Sequence, residues 1–258
     1  MNTARTKARS LSVLTALIAA AVAIPNSFAC AQITGKSDDA KKPDAGKFVF
    51  TIQGARVGTC AFKLDARGDS DATIEVTLGG QEKKYVVTTH SKAGKMTAFS
   101  AEENSENRFT ASIDGTSAKV SINGGANSSQ DVPAGLLPFG NFCPHLLSYT
   151  LAAYDVKKGG SQPFTVAMVE ALPNAQIVTM KIKLAAKGSR EVKVEAKPVT
   201  IKTYSLAIDA NGTTVALNLF AAADGRILGW DVPSQSFTAV REGYESSIAS
   251  LKTPAQVN

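Results

Sequence analysis

The 258 residues carry 28 Lys or Arg against 22 Asp or Glu, a formal net charge of +6, with 44% apolar and 19% charged side chains. That balance excludes a chain too polar to bury a core. The basic residues form no dense patch interleaved with aromatics, so nucleic acid is not an expected partner.

Arg5, Lys7 and Arg9 open the chain with no acidic residue among them. An apolar run from Leu11 to Ile24 follows, and Pro25 ends it ahead of "NSFACAQ". A basic head, a short apolar middle and a small-residue exit spell a secretory signal peptide over residues 1–31. The run is shorter than the roughly 20 apolar residues that a permanent helical span needs. No comparable run follows, so the mature chain is expected to be soluble, without a transmembrane segment, and periplasmic or extracellular. Ala29-Cys30-Ala31 fits a small-x-small site with cleavage before Gln32. Lipid anchoring through Cys30 is the lesser reading, because Ser27 stands where lipoprotein signals carry a Leu-like residue.

Cleavage removes three positive charges, which takes the net charge from +6 to +3, and it removes one of the three cysteines. Cys60 and Cys143 remain, and in an oxidising compartment two cysteines are expected to pair as a disulfide. The bridge would close a loop of more than eighty residues, for which chain entropy assigns about 4 kcal/mol.

Residues 32–47, "QITGKSDDAKKPDAGK", are polar and charged and read as a flexible tether. A β-rich domain is expected over 48–245, with a candidate sub-boundary at 125–162 and a tail over 246–258. Within it period-two alternation dominates: Ile74, Val76 and Leu78 in "TIEVTL", Ala118, Val120 and Ile122 in "SAKVSI", and Val178, Met180, Ile182 and Leu184 in "VTMKIKL". One buried and one wet face per strand is the mark of antiparallel sheet. Gly79-Gly80, Asp114-Gly115, Gly124-Gly125, Asn211-Gly212 and Asp224-Gly225 supply tight turns between the runs. The spacing predicts about twelve to fourteen strands joined as hairpins, with no βαβ rhythm.

Residues 125–162 break the pattern. After a Gly/Ser/Pro-rich loop, Phe139, Phe142, Cys143, Leu146 and Leu147 follow one helical face. Pro144 is tolerated only in a first turn, so the helix within about 139–154 starts near it. The expected fold is a large curved antiparallel sheet or open barrel with this one helix lying across it. Cys143 and His145 are two apart, and on a helix they point in different directions, a poor arrangement for a thiol and its base. With the cysteines paired, only His90 and His145 remain as nitrogen ligands, without a metal-site spacing. His90, at the end of "KKYVVTTH", reads as an exposed or edge residue. There is no Gly-x-Ser-x-Gly elbow, P-loop or dinucleotide fingerprint, and Glu102-Glu103 reads as a solvated loop pair. No catalytic residue, metal site or cofactor is therefore expected.

Trp230, the single tryptophan, follows Asp224-Gly225 on a strand that Pro233 ends; it caps a core or lines a cavity. Arg241 and Glu242 either hold a polar contact at a sheet edge or face water. Tyr204 to Ile208, Val215 to Phe220 and Asp224-Gly225-Arg226-Ile227-Leu228 together resemble the closing strands of bacterial exported proteins of unknown function. Those proteins are built on a long curled antiparallel sheet, similar in outline to the half-barrel of periplasmic lipoprotein carriers. Ala222-Ala223 replaces the first acidic part of their "D-x-D-G-R-x-L" hairpin, and the resemblance covers about the last fifty residues. It implies a concave apolar face and carries over no catalytic residue. The expected function is a non-enzymatic binding module for an apolar or lipid-like small molecule, with Trp230, Phe139, Phe142 and Tyr149 as candidate contacts. The rivals are a secreted hydrolase with an unrecognised site and an interaction subunit of an envelope complex.

Overall fold

A computed structural model describes residues 43–169, 176–210 and 213–252. The stretch read as a signal peptide, most of that read as a tether and Asn211-Gly212 lie outside these residues, whereas residues 44–47 of the tether reading belong to the first strand. Eight strands come first: β1 (Asp44–Ile52), β2 (Ala55–Leu64), β3 (Ser70–Leu78), β4 (Gln81–Lys92), β5 (Lys95–Glu103), β6 (Asn107–Asp114), β7 (Ser117–Ile122) and β8 (Ser128–Asp131). After the short β9 (Leu137–Phe139), a 3-10 turn (Pro144–Leu146) leads into a helix (Leu147–Ala153). Six strands follow: β10 (Ser161–Met168), β11 (Thr179–Val194), β12 (Lys197–Ala210), β13 (Thr213–Ala222), β14 (Ile227–Val232) and β15 (Phe237–Arg241). A second short helix (Glu245–Lys252) ends the described chain.

All fifteen strands belong to one sheet, ordered β8-β7-β6-β5-β4-β3-β2-β1-β15-β14-β13-β12-β11-β10-β9. Every neighbour pair is antiparallel except β9 with β10. The alternation expected from the sequence sets the faces: Ile74, Val76, Ala118, Val120, Met180, Ile182 and Leu184 are all buried. A right-handed twist in each strand curls a sheet of this size. The curl brings its two ends together. The Gln130 side chain on β8 donates to the Ile177 carbonyl at 2.9 Å and accepts from the Ile177 N–H at 2.8 Å, just before β11. One side-chain amide thus stands in for a peptide group at a seam where the strands themselves do not pair.

The chain's first and last strands meet in the middle of the sheet. β1 runs against β15 with Phe48 opposite Arg241 and Phe50 opposite Ala239. Arg241 donates to both carboxylate oxygens of Asp44, at 2.9 and 2.8 Å, and to the Ala45 carbonyl. Its guanidinium lies 5.4 Å from the centre of the Phe62 ring. The reading of Arg241 as a polar contact is the one the structure contains, although its site is a central strand pair and not an edge.

Two apolar clusters result. The large one fills the concave side and includes the segment from Val132 to Tyr154. A small one, with Ile201, Phe220, Leu228, Val240 and Ile248, lies on the convex side under the C-terminal helix. That helix occupies part of the stretch read as a tail. Glu102-Glu103 likewise ends β5 instead of forming a loop, because Phe99 and Ala101 continue the inward alternation up to it. Glu103 accepts a 2.7 Å hydrogen bond from Lys83 on the neighbouring strand.

Candidate functional site: the plug and the concave face

The segment 132–154, called the plug below, crosses the concave side. The helix expected over about 139–154 is shorter than its spacing suggests. Phe139 ends β9, where pairing with β10 overrides the helical pattern, and Phe142 and Cys143 precede the 3-10 turn. Only Leu146 and Leu147 of that face are helical, with Pro144 in the first turn of the 3-10 segment. The missing N–H of Pro144 costs nothing there, since a first-turn amide has no intrahelical partner. The plug side chains reach five strands that are consecutive in the middle of the sheet: β3, β2, β1, β15 and β14.

The rings carry most of this contact. Phe142 lies 5.5 Å from Phe50 and 6.5 Å, edge-on, from Phe237. Phe139 meets Trp230 edge-on at 6.3 Å, and Trp230 meets Phe237 the same way at 5.9 Å. The His145 ring stacks on Phe62 at 4.4 Å with an interplanar angle of 10°. Edge-on and offset pairs of this kind add about 0.5–1.5 kcal/mol each beyond the area they bury.

Two polar contacts fix the plug's depth. Ser70 Oγ and His145 Nε2 share a 2.7 Å hydrogen bond, with both residues buried. The Tyr149 hydroxyl donates to the Gly68 carbonyl in the loop between β2 and β3. Burial raises the Tyr149 pKa above its ordinary value; the Ser91 and Thr89 hydroxyls beside it oppose the rise, and the Asp69 and Asp65 charges add to it. Outside the plug the same loop is held by charge. Asp65 accepts from the backbone N–H groups of Arg67 and Asp69 at 2.8 and 2.9 Å, and the Asp69 amide is the main reason its carboxyl sits below the usual carboxylate range. His90 Nδ1 lies 3.4 Å from Asp69 Oδ2 with its side chain half exposed. At its far end the plug is anchored by Tyr154, which donates to the Gly160 carbonyl at 2.9 Å. Gln162 adds bonds to the Asp155 and Gly159 carbonyls.

Chemically, Ser70 and His145 have the distance of a nucleophile and its base. At 3% and 1% exposure, however, neither can meet a substrate while the plug is seated. What this pair does in the folded chain is orient the plug. Among the described residues no group of three or more His, Cys, Asp or Glu side chains could hold a metal ion. The four candidate contacts, Trp230, Phe139, Phe142 and Tyr149, come together at the plug–wall interface, all buried. Cys60 on β2 and Cys143 at the start of the plug's 3-10 turn are also buried, and the structure shows no disulfide between them.

Sequence reasoning missed Ser70, Gly68 and Thr89. A signal for two of them was present: Ser70 shares the inward parity of Ala72, Ile74 and Val76, and Thr89 that of Tyr85 and Val87. A hydroxyl residue at an inward position needs a buried partner, and here the plug lies over it.

The raised tyrosines predict an alkaline limit to stability. Tyr149, Tyr85 and Tyr204 are all pushed up, each mainly by burial. Their contribution is fully present below the unfolded value of about 10 and is lost as pH rises from there through the folded values. Urea midpoints should be unaffected by these groups up to about pH 9 and fall steeply above pH 10. In Tyr149→Phe the fall should be shallower, from a lower starting stability because the bond to Gly68 is gone. An unchanged slope in that variant would show that Tyr149 ionises freely in the folded protein.

No protein-family model matches this chain, and no curated protein matches it. Among solved structures it is similar to a beta-barrel-like protein of a domain of unknown function, DUF1849, from Brucella abortus. The identity is 13%, the TM-score is 0.48, and the match covers 78% of this chain and 95% of that one.

Proposed function

We propose that the protein is an exported, non-enzymatic binding module that takes an apolar or lipid-like small molecule on the concave face of its sheet. One observation carries the reading. The concave face is a continuous apolar surface covered by one short segment of the same chain, where a β-sandwich would have a second sheet. Strands, β9 at the start of the plug included, are held by ladders of backbone bonds, whereas residues 140–154 are held to the wall chiefly by side chains. Residues 140–154 are therefore the part of the cover that can move without breaking the sheet. A ligand with a hydrocarbon body would replace the Phe142 and Tyr149 contacts and lie against Phe139, Trp230 and Phe50. The leader over residues 1–31 supports export, by sequence pattern alone.

The test is native mass spectrometry of the full chain purified from the exported fraction, then titration with oleate while Trp230 emission is followed. The expected result is a ligand adduct that is lost on denaturation and a saturable change in emission, since Trp230 is the only tryptophan. A bare mass with emission unaltered over the soluble range of oleate would overturn the proposal.

A further inference from the structure

We infer that Cys60 and Cys143, not bridged in this structure, join on oxidation as a disulfide that fastens the plug to the sheet and so governs access to the concave face. The part about access rests on the ligand reading above; the bond itself does not. On the wall, Phe48 lies opposite Cys60 and Phe50 opposite Gly58, so Cys60 sits between Phe50 and Phe62 on the inward face. In the plug, Cys143 follows Phe142 directly and precedes His145 by two residues. The flanking residues touch in matching order: Phe142 meets Phe50 at 5.5 Å, and His145 stacks on Phe62 at 4.4 Å. These two ring contacts bracket the cysteines on either side, and both cysteines are buried, at 0% and 1% exposure, in the same apolar cluster. Cys143 is a short side chain between Phe142 and His145 on its own segment, and Cys60 is one between Phe62 on its own strand and Phe50 on the neighbouring strand.

The bond needs an oxidant, and a disulfide-carrying thiol oxidant is the class that balances. One cysteine thiolate attacks a sulfur of the oxidant, whose S–S bond breaks and releases one thiol. The second cysteine then attacks the mixed disulfide, forms Cys60–Cys143 and releases the other thiol, the two protons ending on the two leaving thiols. Burial of both sulfurs means that oxidation occurs before the plug seats or while it is lifted. Once made, the bond is shielded in the seated state, so a reductant reaches it only during local opening of the plug. A lipid-like ligand then binds only to the extent that the fastened plug can flex around residues 144–154, while reduction frees the whole segment.

The experiment uses the full mature chain refolded with oxidised glutathione as the oxidant, then denatured in iodoacetamide without reductant. The expected product takes up no alkyl group and is two hydrogens lighter than the reduced chain. Hydrogen exchange in peptides spanning 139–154 should then quicken about tenfold on reduction, as expected when a local opening loses its fastening, with little change in β4 to β6. The variant Cys60→Ser with Cys143→Ser should exchange like the reduced protein under both conditions. Two alkylated cysteines after oxidative refolding would overturn the bond, whatever oleate does. A bridged chain whose plug exchanges at the same rate before and after reduction would overturn the control of access. A bridged chain that binds no oleate would leave the bond standing and remove the ligand reading alone.

Discussion

Arg241→Ala should lower the unfolding free energy by about 3–5 kcal/mol, because it strands the Asp44 carboxylate without its partner in a poorly hydrated site. The Arg241 and Asp44 side chains are only 11% and 9% exposed, so water cannot replace the lost bonds as it would at a surface pair. The guanidinium does three things at once: it pairs in bidentate fashion with Asp44, caps the Ala45 carbonyl and covers the Phe62 ring. Lysine reproduces only the charge, so Arg241→Lys should recover a minor part of the loss. Gly46 supplies an independent route to the same contact. A Cβ there would stand 2.8 Å from Arg241 Nη2, so Gly46→Ala should displace the guanidinium and destabilise through it. The two changes combined should then cost clearly less than the sum of each alone. Urea midpoints for the four proteins decide it; additive losses would show that Gly46 and Arg241 act separately.

Phe142→Ala is expected to show two effects of opposite sign. Its ring fills the space between Phe50 and Phe237, and truncating a buried Phe costs about 3–5 kcal/mol through lost transfer energy and the cavity left behind. The same truncation weakens the plug's hold on its wall. If plug and ligand compete for one apolar surface, the apparent affinity is the intrinsic affinity scaled by the fraction of molecules with the plug lifted. Raising that fraction should tighten oleate binding although the fold is weaker. Chemical denaturation and the Trp230 titration on one preparation measure both. Weaker binding that follows the loss of stability would argue that the plug forms part of the ligand site and does not compete for it.

Much of the architecture is legible in the sequence, for a physical reason. Alternation such as Ile74, Val76 and Leu78 states which side chains face inward, because a strand reverses face at each residue. Hairpin turns such as Gly79-Gly80 then state that neighbours in sequence are neighbours in the sheet. The helical spacing from Phe139 to Leu147 likewise marks the segment that crosses it. Neither pattern says which strand covers the free side of β1. That pairing joins residues separated by 197 positions in the Arg241–Asp44 contact, and no local periodicity encodes it. The C-terminal helix was illegible because "ESSIASLK" has only Ile248 and Leu251 to bury, and it is held by the convex cluster more than by its own pattern. At the candidate site, Phe139, Phe142 and Tyr149 could be picked out as aromatics in the break in the strand pattern, and Trp230 as the single tryptophan on a late strand. Their mutual packing could not, since it depends on how far the sheet curls.

The central meeting of β1 with β15 also fixes when folding can finish. A polypeptide is made from its N-terminus, and the first eight strands can zip up hairpin by hairpin as they appear. β1 nevertheless keeps one unpaired edge until the last strand of the sheet has been synthesised. An edge that contains Phe48 and Phe50 is a template for pairing with other chains during that interval. Contacts of such long sequence separation also slow the final closure. The nascent protein should therefore depend on something to shield that edge, and truncation after β14 should yield aggregates instead of a smaller stable domain.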